Sequence, residues 1–227
     1  MSKIAIISAM EEEVTNLFNR IENLRIVRYK NFEFKTGKLG NHDVIVTNGG
    51  IGKTNTGIIV ALIDSLFEGV DLVVNIGISG GVKGKVNPGE IVISEKLSYS
   101  DFDATAFGYE FGQVPRLPKM YFADKNTLEK IRVFGNVGMI LTGDKFVTDC
   151  KSSSKVINKY FKDENVLCFD MESTAFAQSC HVLGLPFIAI RAISDIIGVN
   201  NQVNNYVDYK LTACKKACDC LDIILND

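Results

Sequence analysis

With 227 residues, the chain is long enough to bury one sizeable core, and its 46% hydrophobic and 23% charged content is that of an ordinary globular protein. A formal net charge of −2 gives no reason to expect nucleic acid or an anionic membrane surface as a partner. No apolar run approaches the roughly 18 residues needed to span a bilayer, and an apolar strand starting at Lys3 leaves no room for a secretory leader, so a cytoplasmic protein is expected.

Lys3–Ser8 reads as a buried strand, after which Val14, Leu17, Phe18 and Ile21 recur at helical spacing. Residues 25–48 switch to period two in Phe32–Lys35 and His42–Val46, which predicts paired strands turning at Gly40-Asn41. A helix is predicted over 54–68, followed by buried strands at Asp71–Ile76 and, after the Asn87-Pro88-Gly89 turn, Glu90–Ser94. Residues 100–120 fit neither period. Phe102, Phe107, Tyr109, Phe111, Pro115 and Pro118 crowd a connector that must be covered by its own domain or by a second copy of the chain. Beyond it the pattern predicts a helix near 124–132, strands near 137–142 and 166–170, and helices near 153–162 and 172–183. A strand at 187–194 and a closing helix from about 206 to 225 complete the chain. Alternating Ile/Val-rich runs and helical patterns imply a mixed or parallel sheet covered on both faces, and with no linker or repeat, residues 1–227 read as one domain.

Six cysteines without a signal peptide read as buried thiols rather than a disulfide framework. Cys214, Cys218 and Cys220 form the one cluster, and neither His42 nor His181 lies near it in sequence, so no metal site is expected. Adjacent Cys180 and His181 point in different directions on a helix, and two histidines leave little for histidine-based catalysis.

Chemistry is concentrated where apolar runs end. Lys3–Ser8 runs into Glu11-Glu12-Glu13, Val166–Phe169 into Asp170-Met171-Glu172, and Phe187–Ser194 into Asp195. In an open α/β sheet such strand ends meet in one crevice, and carboxylates converging there suit acid/base work on a substrate that develops positive charge. Each acid alone has a plainer explanation: Glu11–Glu13 and Asp170–Glu172 complement a helix dipole, and Asp195 caps a turn or pairs with Arg191. Glu11 and Glu12 are expected in solvent, with Glu13 free to turn inward. Asn48–Thr54 imitates a phosphate loop, but the motif requires glycine where Thr47 stands, so its glycines are read as a tight turn. Gly77-Ile78-Ser79-Gly80-Gly81 lacks dinucleotide-loop spacing, yet marks a close approach to backbone.

Taken in order, Ala9–Val14, Gly50–Lys53, Thr105–Tyr109, Gly143-Asp144, Met171-Glu172 and Arg191–Asp195 resemble the 5′-methylthioadenosine/S-adenosylhomocysteine nucleosidases, within the nucleoside phosphorylase superfamily, over nearly the whole chain. The resemblance implies a single-domain three-layer α/β/α fold around a twisted mixed sheet, nucleoside phosphorylase-like, in a homodimer with no metal or organic cofactor. It implies hydrolysis of the N-glycosidic bond of 5′-thioadenosines, with Glu13 as the base activating water and Asp195 as the acid beside purine N7. Glu172 would bind the ribose hydroxyls, with Met171 against the sugar and Arg191 nearby. Phe146 would pack on adenine and Val147 bond its edge through the main chain. Met10, Ile51 and Phe107 would line the 5′-alkylthio pocket, which Tyr109 and Pro115 enter from the second subunit. Ile78, Ser79, Gly80, Ser194 and Tyr206 complete the substrate-binding set. The chain departs from the family pattern at Ile78-Ser79 (a hydroxyl residue then Ala), at Asp170 (Glu) and at Tyr206 (often Phe), and residues 196–206 align poorly.

Two other readings compete. A phosphorylase on the same scaffold must hold phosphate, for which the first strand end offers only Glu11–Glu13 and residues 76–82 offer no Arg or Lys; Lys53 and Lys83 alone make a poor clamp. A purine-nucleoside binding protein would have no use for an acid and a base on opposite sides of one bond.

Overall fold

The structure, a computed structural model, describes residues 2–225; the one-domain reading extends to Met1, Asn226 and Asp227, which lie outside the described residues. Strand β1 (Lys3–Ser8) sits at the middle of the sheet and shows why both faces are covered. Its side chains alternate, so Ile4 and Ile6 enter one core while Ala5 and Ile7 enter the other. β2 (Glu22–Tyr29), β3 (Phe32–Leu39) and β4 (His42–Asn48) form an antiparallel meander whose last strand runs parallel to β1. On the other side β1 pairs in parallel with β5 (Leu72–Gly81).

The remaining strands are β6 (Ile91–Tyr99), β7 (Tyr121–Phe122), β8 (Asn136–Thr142), β9 (Val166–Asp170) and β10 (Phe187–Ile196). β10 pairs with β5 and with β6, while β6–β8–β9 leads back to β5 through Gly80 and Gly81. Five strands therefore close on themselves, and the mixed sheet curls at this end. Helices α1 (Thr15–Phe18), α3 (Lys125–Ile131) and α6 (Gln202–Leu225) supply the core on the Ile4/Ile6 face; α2 (Lys53–Leu66) and α5 (Ser173–Leu183) supply that on the Ala5/Ile7 face. α4 (Cys150–Tyr160) packs Val156 and Ile157 against a smaller cluster around Phe161 and Phe169.

Some elements differ from the sequence expectation. The helix expected after β1 is only a 3₁₀ turn at Glu11–Glu13 followed by the single turn of α1. Gly77–Gly81 continues β5 rather than following it, because it pairs with Arg191–Ile196 of β10 and, at Gly80 and Gly81, with β9; neighbouring side chains leave space for little beyond hydrogen at Gly77 and Gly81. α4 starts at Cys150, since the Asp149 carboxylate caps it by accepting the Lys151 and Ser152 N–H groups at 3.0 and 3.1 Å. α6 starts at Gln202, directly after Asn201 with a left-handed φ of 61°. Of the 100–120 aromatics, Phe111 stacks on Tyr160 at 3.9 Å and Phe102 lies near Tyr99, whereas Phe107 is 83% exposed.

Candidate active site

Glu13 is carried out of β1 by the 3₁₀ turn and is 2% exposed, whereas Glu11 and Glu12 face solvent. Its Oε2 accepts the N–H groups of Ala9 and Met10, both at 2.9 Å, and its Oε1 accepts that of Ile78 at 3.2 Å. Burial pushes its carboxyl up from the ordinary range; the Met10 amide, the Arg191 charge and the Ile78 and Ala9 amides pull the other way. Glycine at 77 makes this position accessible, because a Cβ there would lie 2.9 Å from Glu13 Oε1. Ile78 turns its side chain into an apolar cluster with Ala192, Ala213, Cys214 and Ala217, so the missing hydroxyl leaves the backbone bond to Glu13 intact.

Glu172 stands at the head of α5 and accepts the Gly52 N–H at 2.8 Å, which gives the Gly50–Gly52 turn its use: both glycines adopt left-handed φ, 87° and 99°, to aim that donor. Burial raises the Glu172 carboxyl well above its usual range, and the negative charge of Asp170 adds to the shift against the pull of Arg191.

Asp195 lies past a bulge in β10, where Ile193 pairs with Ser79 and Asp195 with Gly80. The extra residue, Ser194, re-aims the strand's side chains at this point. Asp195 is fully buried; Oδ1 accepts the Ser194 hydroxyl at 2.6 Å and Oδ2 the Gln202 Nε2–H at 2.7 Å. Burial raises its carboxyl, while these two donors hold it down.

The three carboxylates share one cleft of ≈ 600 Å³, counting space open to solvent at its mouth, which is ample for a nucleoside. Met10, Ile51, Ile78, Ser79, Gly80, Phe146, Val147, Met171, Ser194 and Tyr206 line it with them. Phe146 and Tyr206 meet edge to face at 5.5 Å, and the Tyr206 hydroxyl reaches Met10 Sδ at 3.8 Å, so the apolar end is walled by Met10, Phe146 and Tyr206 with Ile51 at the rim.

The chain matches the Phosphorylase superfamily over residues 3–226. It is 38% identical over 208 residues, covering 88% of this chain and 90% of the relative, to the 5′-methylthioadenosine/S-adenosylhomocysteine nucleosidase of Staphylococcus aureus. The S-adenosylhomocysteine nucleosidase of Streptococcus pyogenes, solved with 5-methylthiotubericidin, superposes with a TM-score of 0.93 at 31% identity over 99% of this chain and 96% of that one. The Streptococcus pneumoniae nucleosidase bound to the transition-state inhibitor MT-ImmA gives 0.91 at 33% identity, over 99% and 98%. The chain belongs to the 5′-methylthioadenosine/S-adenosylhomocysteine nucleosidase family. The nucleoside phosphorylase-like fold expected from sequence is therefore the fold observed.

Within this nucleosidase frame, two site residues expected from this chain, Arg191 and Phe107, do not line the cleft. Arg191 is 2% exposed and lies behind the wall: Nε donates 2.9 Å to Asp170 Oδ2, Nη1 donates to the carbonyls of Asn75 and Ile190, and Nη2 to Asn75 Oδ1. Four of its five N–H groups are engaged there and it does not line the cleft, so it is corrected from a substrate contact to a buried counter-charge for the carboxylates. Its partner is Asp170 and not Asp195. Phe107, 83% exposed, does not line this chain's cleft and is corrected from an own-chain lining residue; Tyr109 and Pro115, expected from a second subunit, do not line it either.

Sequence reasoning set Asp170 aside, yet it also accepts the Thr142 hydroxyl at 2.6 Å and the Ser173 hydroxyl. Its position at the end of an apolar strand was the available signal. Lys145, Phe169 and Ile197 line the cleft without having been singled out, and no spacing or periodicity marks them. Asp170→Asn leaves a buried guanidinium without its ion partner. It should cost about 3 kcal/mol of stability, read as a lowered midpoint in urea; an unchanged midpoint would show that Asn75 and the carbonyls suffice for Arg191.

Proposed function

We propose that this nucleosidase-family chain hydrolyses the N-glycosidic bond of 5′-methylthioadenosine and S-adenosylhomocysteine, releasing adenine and the 5-thioribose product. The observation that carries this reading is the convergence of Glu13, Glu172 and Asp195, all buried, on one cleft with an apolar end. Glycosidic cleavage builds positive charge on the ribosyl ring, so carboxylates in a low-dielectric site favour the transition state over the ground state. Adenine leaves once N7 carries a proton, and burial moves Asp195 toward the protonated form that can supply it. Glu13, held by three backbone N–H groups, is the base that orients and deprotonates water. Glu172 takes the ribose hydroxyls with Met171 against the sugar, Phe146 and Val147 take the purine, and Met10, Ile51 and Tyr206 take the thioether. No covalent intermediate, metal or organic cofactor enters this scheme.

Water rather than phosphate is the acceptor in this reading, because the one cation lining the cleft among the described residues is the exposed Lys145, and Lys53 is tied to Asp101 and Asp144 at 2.6 and 3.1 Å. Adenine release from methylthioadenosine should therefore run at full rate in phosphate-free buffer. Strict dependence on added phosphate, with a 5-methylthioribose 1-phosphate product, would make the enzyme a phosphorylase.

We further place residues 1–227 as one domain acting as a homodimer in the cytoplasm, in methionine salvage and removal of methyl-cycle by-product. No helix of the described residues is long and apolar enough to cross a membrane. The exposed Phe107, with Tyr109 and Pro115, supports a pocket completed by a second copy. Light scattering should give twice the 25.0 kDa chain mass; a fully active monomer would refute a shared pocket.

A further inference from the structure

Two acceptors at one end of the cleft converge on a single nitrogen of the protein itself. Gln202 Nε2 donates to Asp195 Oδ2 at 2.7 Å and to the Val147 carbonyl at 2.9 Å. Gln202 Oε1 accepts the Gly198 N–H at 2.8 Å, which decides the end of the carboxamide that faces the pair. The side chain is 5% exposed and tops α6, the helix that also brings Tyr206 to the cleft. A planar NH₂ shared between a carboxylate and a carbonyl is the pattern that the exocyclic amine of an aminopurine would present to the same two oxygens.

We propose that Gln202 is a stand-in for that amine: its carboxamide latches the resting site and must withdraw before an adenine nucleoside can dock. This rests on the function proposed above and adds a step to it. Ser194 donates to one Asp195 oxygen and Gln202 to the other, so in the latched site the Gln202 amide occupies the approach to Oδ2 that a purine would use. Withdrawal frees Oδ2 and the Val147 carbonyl in the same movement. A purine without the amine cannot replace both lost bonds, so the latch also discriminates in favour of 6-aminopurines. The amide joins three segments: the 145–147 loop, the end of β10 and the 196–201 turn, whose Ile197 carbonyl is separately tied by Cys150 Sγ at 2.9 Å. Opening therefore requires the Gln202 side chain, at the first turn of α6, to let go of all three.

The test uses free adenine as the probe, on the wild type and on Gln202→Leu, which keeps the bulk and removes both polar ends. Because the occupied state taxes every ligand that needs those acceptors, the variant should bind adenine roughly three- to thirtyfold more tightly. The gain should fall mainly on the association rate in stopped flow, and KM for methylthioadenosine should drop. Equal or weaker adenine binding and a raised KM are the results of a merely structural glutamine and would overturn the latch. If Gln202→Leu does not fold by circular dichroism, Gln202→Asn, one methylene short of the two acceptors, must show the same tightening. Should the wild type neither bind adenine nor release it, the reading of the site fails and the latch with it. A working wild type whose variants gain nothing removes the latch alone.

Discussion

Asp195→Asn should lower kcat for adenine release by about 10²–10⁴-fold while adenine itself still binds. The replacement is nearly isosteric and keeps one acceptor oxygen for Ser194 or Gln202, so the cleft remains formed around it. It removes the proton that a leaving adenine needs at N7, and that proton matters only as the bond breaks. The loss should therefore appear in kcat, with the adenine dissociation constant changed far less. Steady-state assay and calorimetric titration of the same preparation separate the two, and full turnover in the variant would take Asp195 out of the mechanism.

A comparable loss is expected for Glu13→Gln, for a different reason. Glu13 meets three backbone N–H donors and offers them four lone pairs; the amide must turn an NH₂ toward at least one of them. The variant thus loses the base and misplaces the group that positions water, and kcat should again fall by about 10²–10⁴-fold. The wild-type pH profile checks the same assignment. Glu13 works only when ionised, and burial raises its pKa, so activity should fall as pH drops through a value above the ordinary glutamate range. A kcat/KM that stays flat into that ordinary range would show that the base is some other group, or that Glu13 is not buried in the working enzyme.

Much of this site was legible because its chemistry sits at the ends of apolar runs. β1, β9 and β10 are apolar segments whose boundaries could be read to within two residues, and Glu13, Glu172 and Asp195 stand at or just past their ends. The Gly50–Gly52 turn announced itself by composition, although its purpose, an N–H aimed at Glu172, is a tertiary fact. What sequence concealed depends on pairing between distant segments. Sequence offered Arg191 only Asp195 as a partner, and the register of β10 against β5 and β9's position in the ring gave it to Asp170. The closure of five strands has no local signal, since each strand reads the same in an open sheet. Gln202 is a polar residue at a helix start, where any polar residue is unremarkable until the strand end facing it is known.

The far side of the sheet has a consequence of its own for life at high concentration. While one end of the sheet closes into a ring, the other stops at β2, all eight of whose residues are exposed, with Leu24, Ile26, Val27 and Tyr29 among them. An edge of that composition is a template for strand-to-strand aggregation. β2 is spoiled as a template by its own irregularity: its register slips between Glu22 and Arg25, Asn23 takes a left-handed φ of 54°, and Arg25 and Arg28 place charge along it. A second copy of β2 would have to match the kink and bring like charges together. The meander can therefore leave an apolar border open to solvent without recruiting neighbours into fibrils.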